Sequence, residues 1–320
     1  MDRSACIYVA GGDTLIGAAI LDRLREVGCD HLVGMPPDEP DLTDANQVED
    51  FFAEFRPEYV FVAAGRSGGI QANMTRPADL MLHNLLVSAH VIRASYIHGV
   101  KKLLYLASSC SYPLHAPQPL AVESLMTGVL EPTSEAYATA KLAGLKLCQA
   151  YRSQYGAPFI SGIPANAFGP RDDFSPESAH VLPALLRRIH EATLRGDRHV
   201  EIWGTGTPRR DFLYAADLAD ACLLVMREYD EPTPINLGGS ATMTIAAAAR
   251  IIAEVVGYRG QLCFDATRPD GAAFKALDAG PLFALGWRPR TEFRTALEQT
   301  YDWFLRHVVK EDLTDVPALV

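Results

Sequence analysis

The sequence predicts an α/β fold: a Rossmann-type, doubly wound parallel sheet with a smaller C-terminal α/β lobe that binds substrate. Three observations lead there. Short apolar runs alternate with helix-period segments over the first 110 residues. A glycine turn, Gly11-Gly12, joins the first run to the first such segment. The second half then becomes irregular and rich in turn formers, with Pro164, Gly169, Pro170 and Pro176. At 320 residues the chain is about twice a typical domain, so one large domain or two intimate ones is the expectation.

The elements follow in order. Ile7-Tyr8-Val9-Ala10 is a strand, and Leu15, Ile16, Ile20, Leu21 and Leu24 recur at helical spacing until Gly28 stops them. A weak strand at Leu32-Val33 precedes a helix near 47–55 and an apolar strand, Tyr59-Val60-Phe61-Val62-Ala63. A long helix over about 77–99 leads into Lys102-Leu103-Leu104-Tyr105-Leu106-Ala107. Near-continuous apolar strands separated by helices indicate a parallel sheet covered on both faces. After a helix at about 134–155 and a strand over 159–164, helices are expected near 183–195, 215–228, 244–256 and 296–307.

Composition narrows the chemistry. The chain is 48% hydrophobic and carries a net charge of −10, from 29 Lys plus Arg against 39 Asp plus Glu. That supports a large core and argues against a global grip on nucleic acid or on an anionic membrane. An anionic ligand needs a local arginine cluster instead. No apolar run approaches the roughly 18 residues of a membrane span, and the start lacks a signal-peptide pattern. The six cysteines are scattered without CxxC spacing, which indicates neither a disulfide framework nor a metal site and fits a cytoplasmic protein.

The turn Ala10-Gly11-Gly12-Asp13-Thr14-Leu15-Ile16-Gly17 stands where a dinucleotide pyrophosphate meets backbone amides and a helix N-terminus. Thr14 replaces the middle glycine of a GxxGxxG turn, and a β-branched residue there is expected to hinder the close approach of phosphate. Tyr137-Ala138-Thr139-Ala140-Lys141 places a phenol and an ammonium one helical turn apart. A nearby Lys⁺ is expected to lower the Tyr137 pKa and suit it to proton transfer. Ser108 falls at the carboxyl end of a strand, where such sheets bind ligands.

This ordered set resembles the extended short-chain dehydrogenase/reductases, and more narrowly the GDP-L-fucose synthase family. The matching stretches include Gly68-Gly69-Ile70-Gln71-Ala72-Asn73, Ser108-Ser109-Cys110-Ser111-Tyr112-Pro113 and Leu130-Glu131-Pro132-Thr133. Asn166-Ala167-Phe168-Gly169-Pro170, Trp203-Gly204-Thr205-Gly206-Thr207-Pro208 and Arg268-Pro269-Asp270-Gly271 continue it. The resemblance implies catalysis by Ser108, Cys110, Tyr137, Lys141 and His180. Cys110 and His180 would be the acid/base pair at C3 and C5 of a 4-keto sugar, with Tyr137 the proton donor at the C4 oxygen. It implies cofactor contacts from Gly11, Gly12, Asp13, Thr14, Leu15, Ile16, Gly17, Asp41, Leu42, Leu106, Ala107, Ser108, Tyr137, Lys141, Pro164, Asn166, Ala167 and His180. Substrate contacts fall to Arg188, Trp203, Arg210, Asp270 and Lys275, with Phe274 standing where an arginine is usual.

Residues 1–165, joined again by about 207–240, would then form the dinucleotide-binding domain. Residues 166–206 and 241–320 would form the nucleotide-sugar lobe. The implied cofactor is NADP(H), but Asp13, Met35 and Pro37 occupy the usual basic positions, followed by Asp38 and Glu39, and this local charge suits NAD(H) nearly as well. The implied partners are a GDP-sugar and a second copy of the chain, the helices at about 77–99 and 134–155 making a four-helix bundle unless they only pack on their own sheet. Two other readings stay open: a related GDP-sugar 4-reductase or epimerase with a different product, and a catalytically silent nucleotide-sugar-binding protein.

Overall fold

The computed structural model describes residues 1–314 other than Pro36, Ser240 and Pro269, with 311–314 described by backbone alone. The first half is β1 (Ile7–Ala10), α1 (Leu15–Glu26), β2 (Leu32–Val33), α2 (Ala45–Phe55), β3 (Tyr59–Val62), α3 (Ile70–Thr75), α4 (Pro77–Ile97), β4 (Lys102–Leu106), α5 (Glu135–Tyr155) and β5 (Phe159–Pro164). The second is β6 (Asn166–Phe168), α6 (Val181–Arg195), β7 (His199–Trp203), β8 (Arg209–Tyr214), α7 (Ala215–Glu228), β9 (Ile235–Leu237), β10 (Thr242–Thr244), α8 (Ile245–Val256), β11 (Gln261–Asp265), β12 (Phe274–Lys275), α9 (Gly280–Ala284) and α10 (Phe293–Thr314).

The central sheet has the order β2-β1-β3-β4-β5-β9, and every neighbouring pair is parallel. Strands β1 and β5 are buried at every position, as strands covered on both faces must be. The order reverses between β1 and β3, so ligands belong at the carboxyl ends of those strands. The remaining strands form a small sheet, in which β8 pairs antiparallel with β10 and parallel with β12 and β6, and a parallel ribbon of β7 and β11.

After residue 164 sequence periodicity places helices alone inside a lobe expected to be α/β, and the positions of strands β6 to β12 come from the structure. They are two to six residues long, and several are partly exposed and polar, which leaves too few positions for an alternation to register. Helix α3 was hidden for the same reason, and α10 begins at Phe293 rather than near 296.

Two apolar cores result. Tyr8, Phe61, Tyr105, Phe159 and Leu237 belong to the first, under the central sheet. Phe168, Leu186, Ile189, Ile252 and Phe304 belong to the second, between α6, α8 and α10. The chain does not stay in the second core once it enters it. Just past β12, Leu120 and Ala276 hydrogen-bond at 2.8 Å, and Asp278 N donates to Leu120 O at 3.0 Å. Leu277, Leu282 and Trp287 then fill the first core. Among the described residues no helix is long and apolar enough to cross a membrane, and no cluster of His, Cys, Asp or Glu is placed to hold a metal.

Candidate active site

Strand β4 ends at Leu106, and Ala107 and Ser108 carry the chain to the carboxyl edge of the sheet. Ser108 stays extended and caps a 3-10 turn over Ser109–Ser111, its hydroxyl accepting from Cys110 N at 3.2 Å. The turn thus aims a serine and a cysteine at one point. Helix α5 brings Tyr137 and Lys141 to the same place. It can lie this close to β4 because residue 144 is glycine: a β-carbon there would stand 2.4 Å from the Tyr105 hydroxyl. Tyr105 Oη donates to Lys141 O at 3.2 Å and pins that turn of the helix.

Burial, then the neighbouring Cys110, push the Tyr137 phenol well above its ordinary pKa, against a hydrogen bond with Ser108. This corrects the expectation that Lys141 lowers it. The Lys141 ammonium points elsewhere, donating to Ala64 O at 3.5 Å and lying 5.1 Å from the Tyr105 ring centroid. Buried without an ionic partner, it falls to about 8.

Cys110 behaves in the opposite way. Burial opposes its ionisation, but the Lys275 charge and hydrogen bonds from Ser108, Lys275 and Ser134 bring it below an ordinary thiol. Lys275 Nζ donates to Cys110 Sγ at 3.4 Å. His180, the residue before α6, borders the opening and meets Ser67 Oγ through Nε2 at 3.4 Å. Desolvation holds its pKa down, against the charge of Asp173, and Lys275 adds to the lowering. Asp173 is itself fixed by Ser175 and Ser178. A ring of lowered affinity is a readier proton donor once charged. Ser134, Ser67 and Asp173 escaped the sequence reading, since a lone serine or aspartate in a loop carries no spacing signal.

The glycine turn packs Gly17 against Gly11 so closely that a β-carbon on Gly17 would stand 1.9 Å from Gly11 O. Thr14 takes the place of the middle glycine. Its hydroxyl turns inward, donating to Gly11 O at 2.7 Å and accepting from Gly17 N at 3.0 Å as the N-cap of α1. The Leu15 and Ile16 amides then stand in a first helical turn, where geometry provides no intrahelical acceptor, and these residues fit a pyrophosphate. Asp13 is exposed at the tip.

The buried-side surprise is Glu39. Its Oε1 accepts from Gly11 N at 2.6 Å and from Tyr8 Oη at 2.9 Å, so a carboxylate sits against the turn. Asp41 accepts from Thr43 N at 2.9 Å, with Arg66 and His83 close enough to influence its charge. Leu42 is buried, and its carbonyl meets His90 Nδ1 at 3.1 Å. Pro164 ends β5, and Asn166 and Ala167 begin the neighbouring β6, where Asn166 Nδ2 donates to Asp211 O at 3.0 Å.

On the lobe side, β12 pairs with β8 so that Lys275 lies beside Arg210. Arg210 Nη1 donates to Ala272 O at 2.6 Å and Arg209 O at 2.8 Å, and its charge reaches both Cys110 and Asp270. Asp270 accepts from Thr205 N at 3.0 Å and Thr205 Oγ1 at 2.6 Å. Trp203, 51% exposed, is flanked by Arg268 at 4.8 Å and Arg188 at 5.8 Å from its ring. Pro269, in the same segment, lies outside the described residues. An exposed indole between guanidinium groups suits a nucleobase next to phosphates.

Comparison with known proteins places the chain in a family. A family model described as the NAD dependent epimerase/dehydratase family matches residues 7–238. The chain is 50% identical over 307 residues to GDP-L-fucose synthase 1 of Arabidopsis thaliana, covering 96% of this chain and 95% of that protein. A GDP-L-fucose synthetase from Naegleria fowleri bound to NADP superposes with a TM-score of 0.89 at 28% identity, covering 97% of this chain and 96% of that one. A GDP-6-OMe-4-keto-L-xylo-heptose reductase from C. jejuni does so with a TM-score of 0.89 at 32% identity, over 96% of this chain and 99% of the other.

Proposed function

The chain belongs to the NAD dependent epimerase/dehydratase family, among the GDP-L-fucose synthases, and from that premise we propose that it makes GDP-L-fucose from GDP-4-keto-6-deoxy-mannose. The observation that carries this is the convergence of Ser108, Cys110 and Tyr137 at one sheet edge, under the cations Lys275 and Arg210.

The 4-keto group acidifies the protons at C3 and C5. Cys110, as thiolate, removes one of them, and His180 returns a proton to the opposite face of the same carbon, inverting it. A nicotinamide cofactor, when bound, supplies hydride to C4. Tyr137 keeps its proton in this burial and gives it to the C4 oxygen as that oxygen becomes a hydroxyl. Ser108 holds the oxygen in place, and Lys141, one turn along α5 from Tyr137, would hold the cofactor's ribose. Arg188, Arg210 and Trp203 receive the GDP end.

The cofactor reading favours NADH at least as much as NADPH. Glu39 against Gly11 and the exposed Asp13 put negative charge where a 2′-phosphate would lie. The division into residues 1–165 with 207–240, and 166–206 with 241–320, is supported by the two cores, with 277–287 rejoining the first. The homodimer through α4 and α5 is supported by the apolar Leu82, Ile97 and Tyr155 that these helices leave exposed. A cytoplasmic site of action accords with six free cysteines.

A second reading keeps the site and changes the sugar. Phe274 is exposed beside Lys275, and the likeness to a heptose reductase fits a pocket of altered shape. Incubation with GDP-4-keto-6-deoxy-mannose and NADH or NADPH in D₂O, with product NMR, decides. GDP-L-fucose labelled at C3 and C5 is the expected product. A different sugar supports the second reading, and no turnover of any keto-sugar would indicate a silent binding protein.

A further inference from the structure

We propose that Lys275 is a positioning residue for Cys110: the C-terminal lobe supplies the counter-charge that holds a thiolate carried by the body. The contact joins residues 165 positions apart, Lys275 Nζ to Cys110 Sγ at 3.4 Å. An ammonium has only protons to offer, so the sulfur must be the acceptor, and a thiolate accepts far better than a thiol.

The geometry holds both partners still. Cys110 is set by the hydrogen bond its backbone N–H donates to Ser108 Oγ and by the 3-10 turn. Lys275 is held on one side by pairing of β12 with β8 and on the other by Ala276 N donating to Gln118 Oε1 at 3.1 Å. The adjacent Arg210 gives its Nη1 to two backbone carbonyls and acts on Cys110 through its charge alone, whereas Lys275 makes the hydrogen bond to the sulfur. The chain contains its own comparison. Cys148, buried on α5 with only a serine beside it, is driven up to about 12 by burial, whereas Cys110, beside Lys275, moves down.

This rests on the reading of Cys110 as the C3/C5 base, but its test needs no sugar. In a Cys263→Ser background Cys110 is the thiol open to reagent, the cysteines at 6, 29, 148 and 222 being buried. Iodoacetamide alkylation of Cys110 is followed by mass spectrometry from about pH 5.5 to 9.5, where thiolates form. Lys275→Met should move the inflection to higher pH and slow alkylation at low pH by about tenfold or more, one pKa unit being a tenfold change in thiolate. Lys275→Arg should stay near the parent, and thermal melts of both identify a variant that fails to fold, for which Lys275→Gln is substituted. Solvent-deuterium exchange at C3 and C5 should shift along pH in parallel. A residue that only held a diphosphate would raise KM and leave the alkylation profile alone, and an unchanged profile overturns the proposal. A shifted profile without turnover of the keto-sugar upholds Lys275 and counts against the proposed substrate instead.

Discussion

A phenol buried next to a thiolate keeps its proton, and Tyr137 is in that position. Tyr137→Phe should therefore lower kcat for reduction by about 10²–10⁴-fold, the worth of a positioned acid, with little change in cofactor affinity. Steady-state kinetics with fluorescence titration of the cofactor check this, and near-normal reduction would remove Tyr137 from the role. Cys110→Ser should nearly abolish deuterium incorporation at C3 and C5, because a hydroxyl is a far weaker base than a thiolate. Direct reduction at C4 can survive and give a different sugar, visible by NMR. Asp172 offers a prediction on stability. Its Oδ2 is buried with no hydrogen-bond partner among the described residues, and burial raises the carboxyl from an ordinary 3.8 to about 8. The folded state then binds more protons than the unfolded one between those values, so stability falls as pH rises from about 4 to 8. Urea unfolding at pH 5 and pH 8 should show this loss, at most about 1.4 kcal/mol per pH unit, and Asp172→Asn should flatten it. Equal slopes in both proteins would place the proton elsewhere.

Whole elements explain what the sequence made legible. Strand β1, the glycine turn and α1 follow from local rules, since an apolar run, a tight turn and a helical period all lie within twenty residues. Ser108 was likewise visible at the end of a strand, and Lys141 as one helical turn from Tyr137, whereas the role of Cys110 came from the family resemblance alone. What stayed hidden depends on contacts between distant elements. Lys275 reaches Cys110 only because β12 joins β8, and β12 is two residues long. Glu39 reaches Gly11 only because the loop after β2 folds back over the turn. That loop carries the next prediction. A missing charge-assisted contact to a 2′-phosphate costs about 1.5–3 kcal/mol, or about tenfold and more in affinity. The ratio of kcat/KM for NADPH over NADH should lie within about tenfold of unity or favour NADH. Asp13→Arg with Pro37→Arg should shift it toward NADPH, less so at high salt. A parent ratio above about a hundredfold for NADPH would mean that Arg66 or Arg25 reaches the phosphate.

At the scale of the molecule, α4 and α5 pack side by side and leave Leu82, Tyr96, Ile97 and Tyr155 facing outward, with Tyr96 stacked on Tyr155 at 4.6 Å. A helical pair with this much exposed apolar surface suits a twofold partner of its own kind. Light scattering on a sizing column should give twice the 34.9 kDa of one chain. Leu82→Glu should shift the mass toward one chain at low concentration, and a parent mass near one chain would sink the dimer.

The return of the chain to Leu120 after β12 bears on how such a protein can be rebuilt. Shuffling relatives for new sugar preferences favours crossover points where few contacts are severed. A breakpoint at the end of the first half would look natural, yet the last segment brings Leu277, Leu282 and Trp287 back under the central sheet. A transplanted C-terminal half therefore imports part of its host's interior, together with the ammonium that faces the host's thiol. Chimaeras should tolerate a graft that ends before β12 and resumes after it far worse than one that keeps residues 274–287 with the parent of Gln118 and Leu120. The interior of the body is thus discontinuous in sequence, and the chain re-enters it just past a two-residue strand.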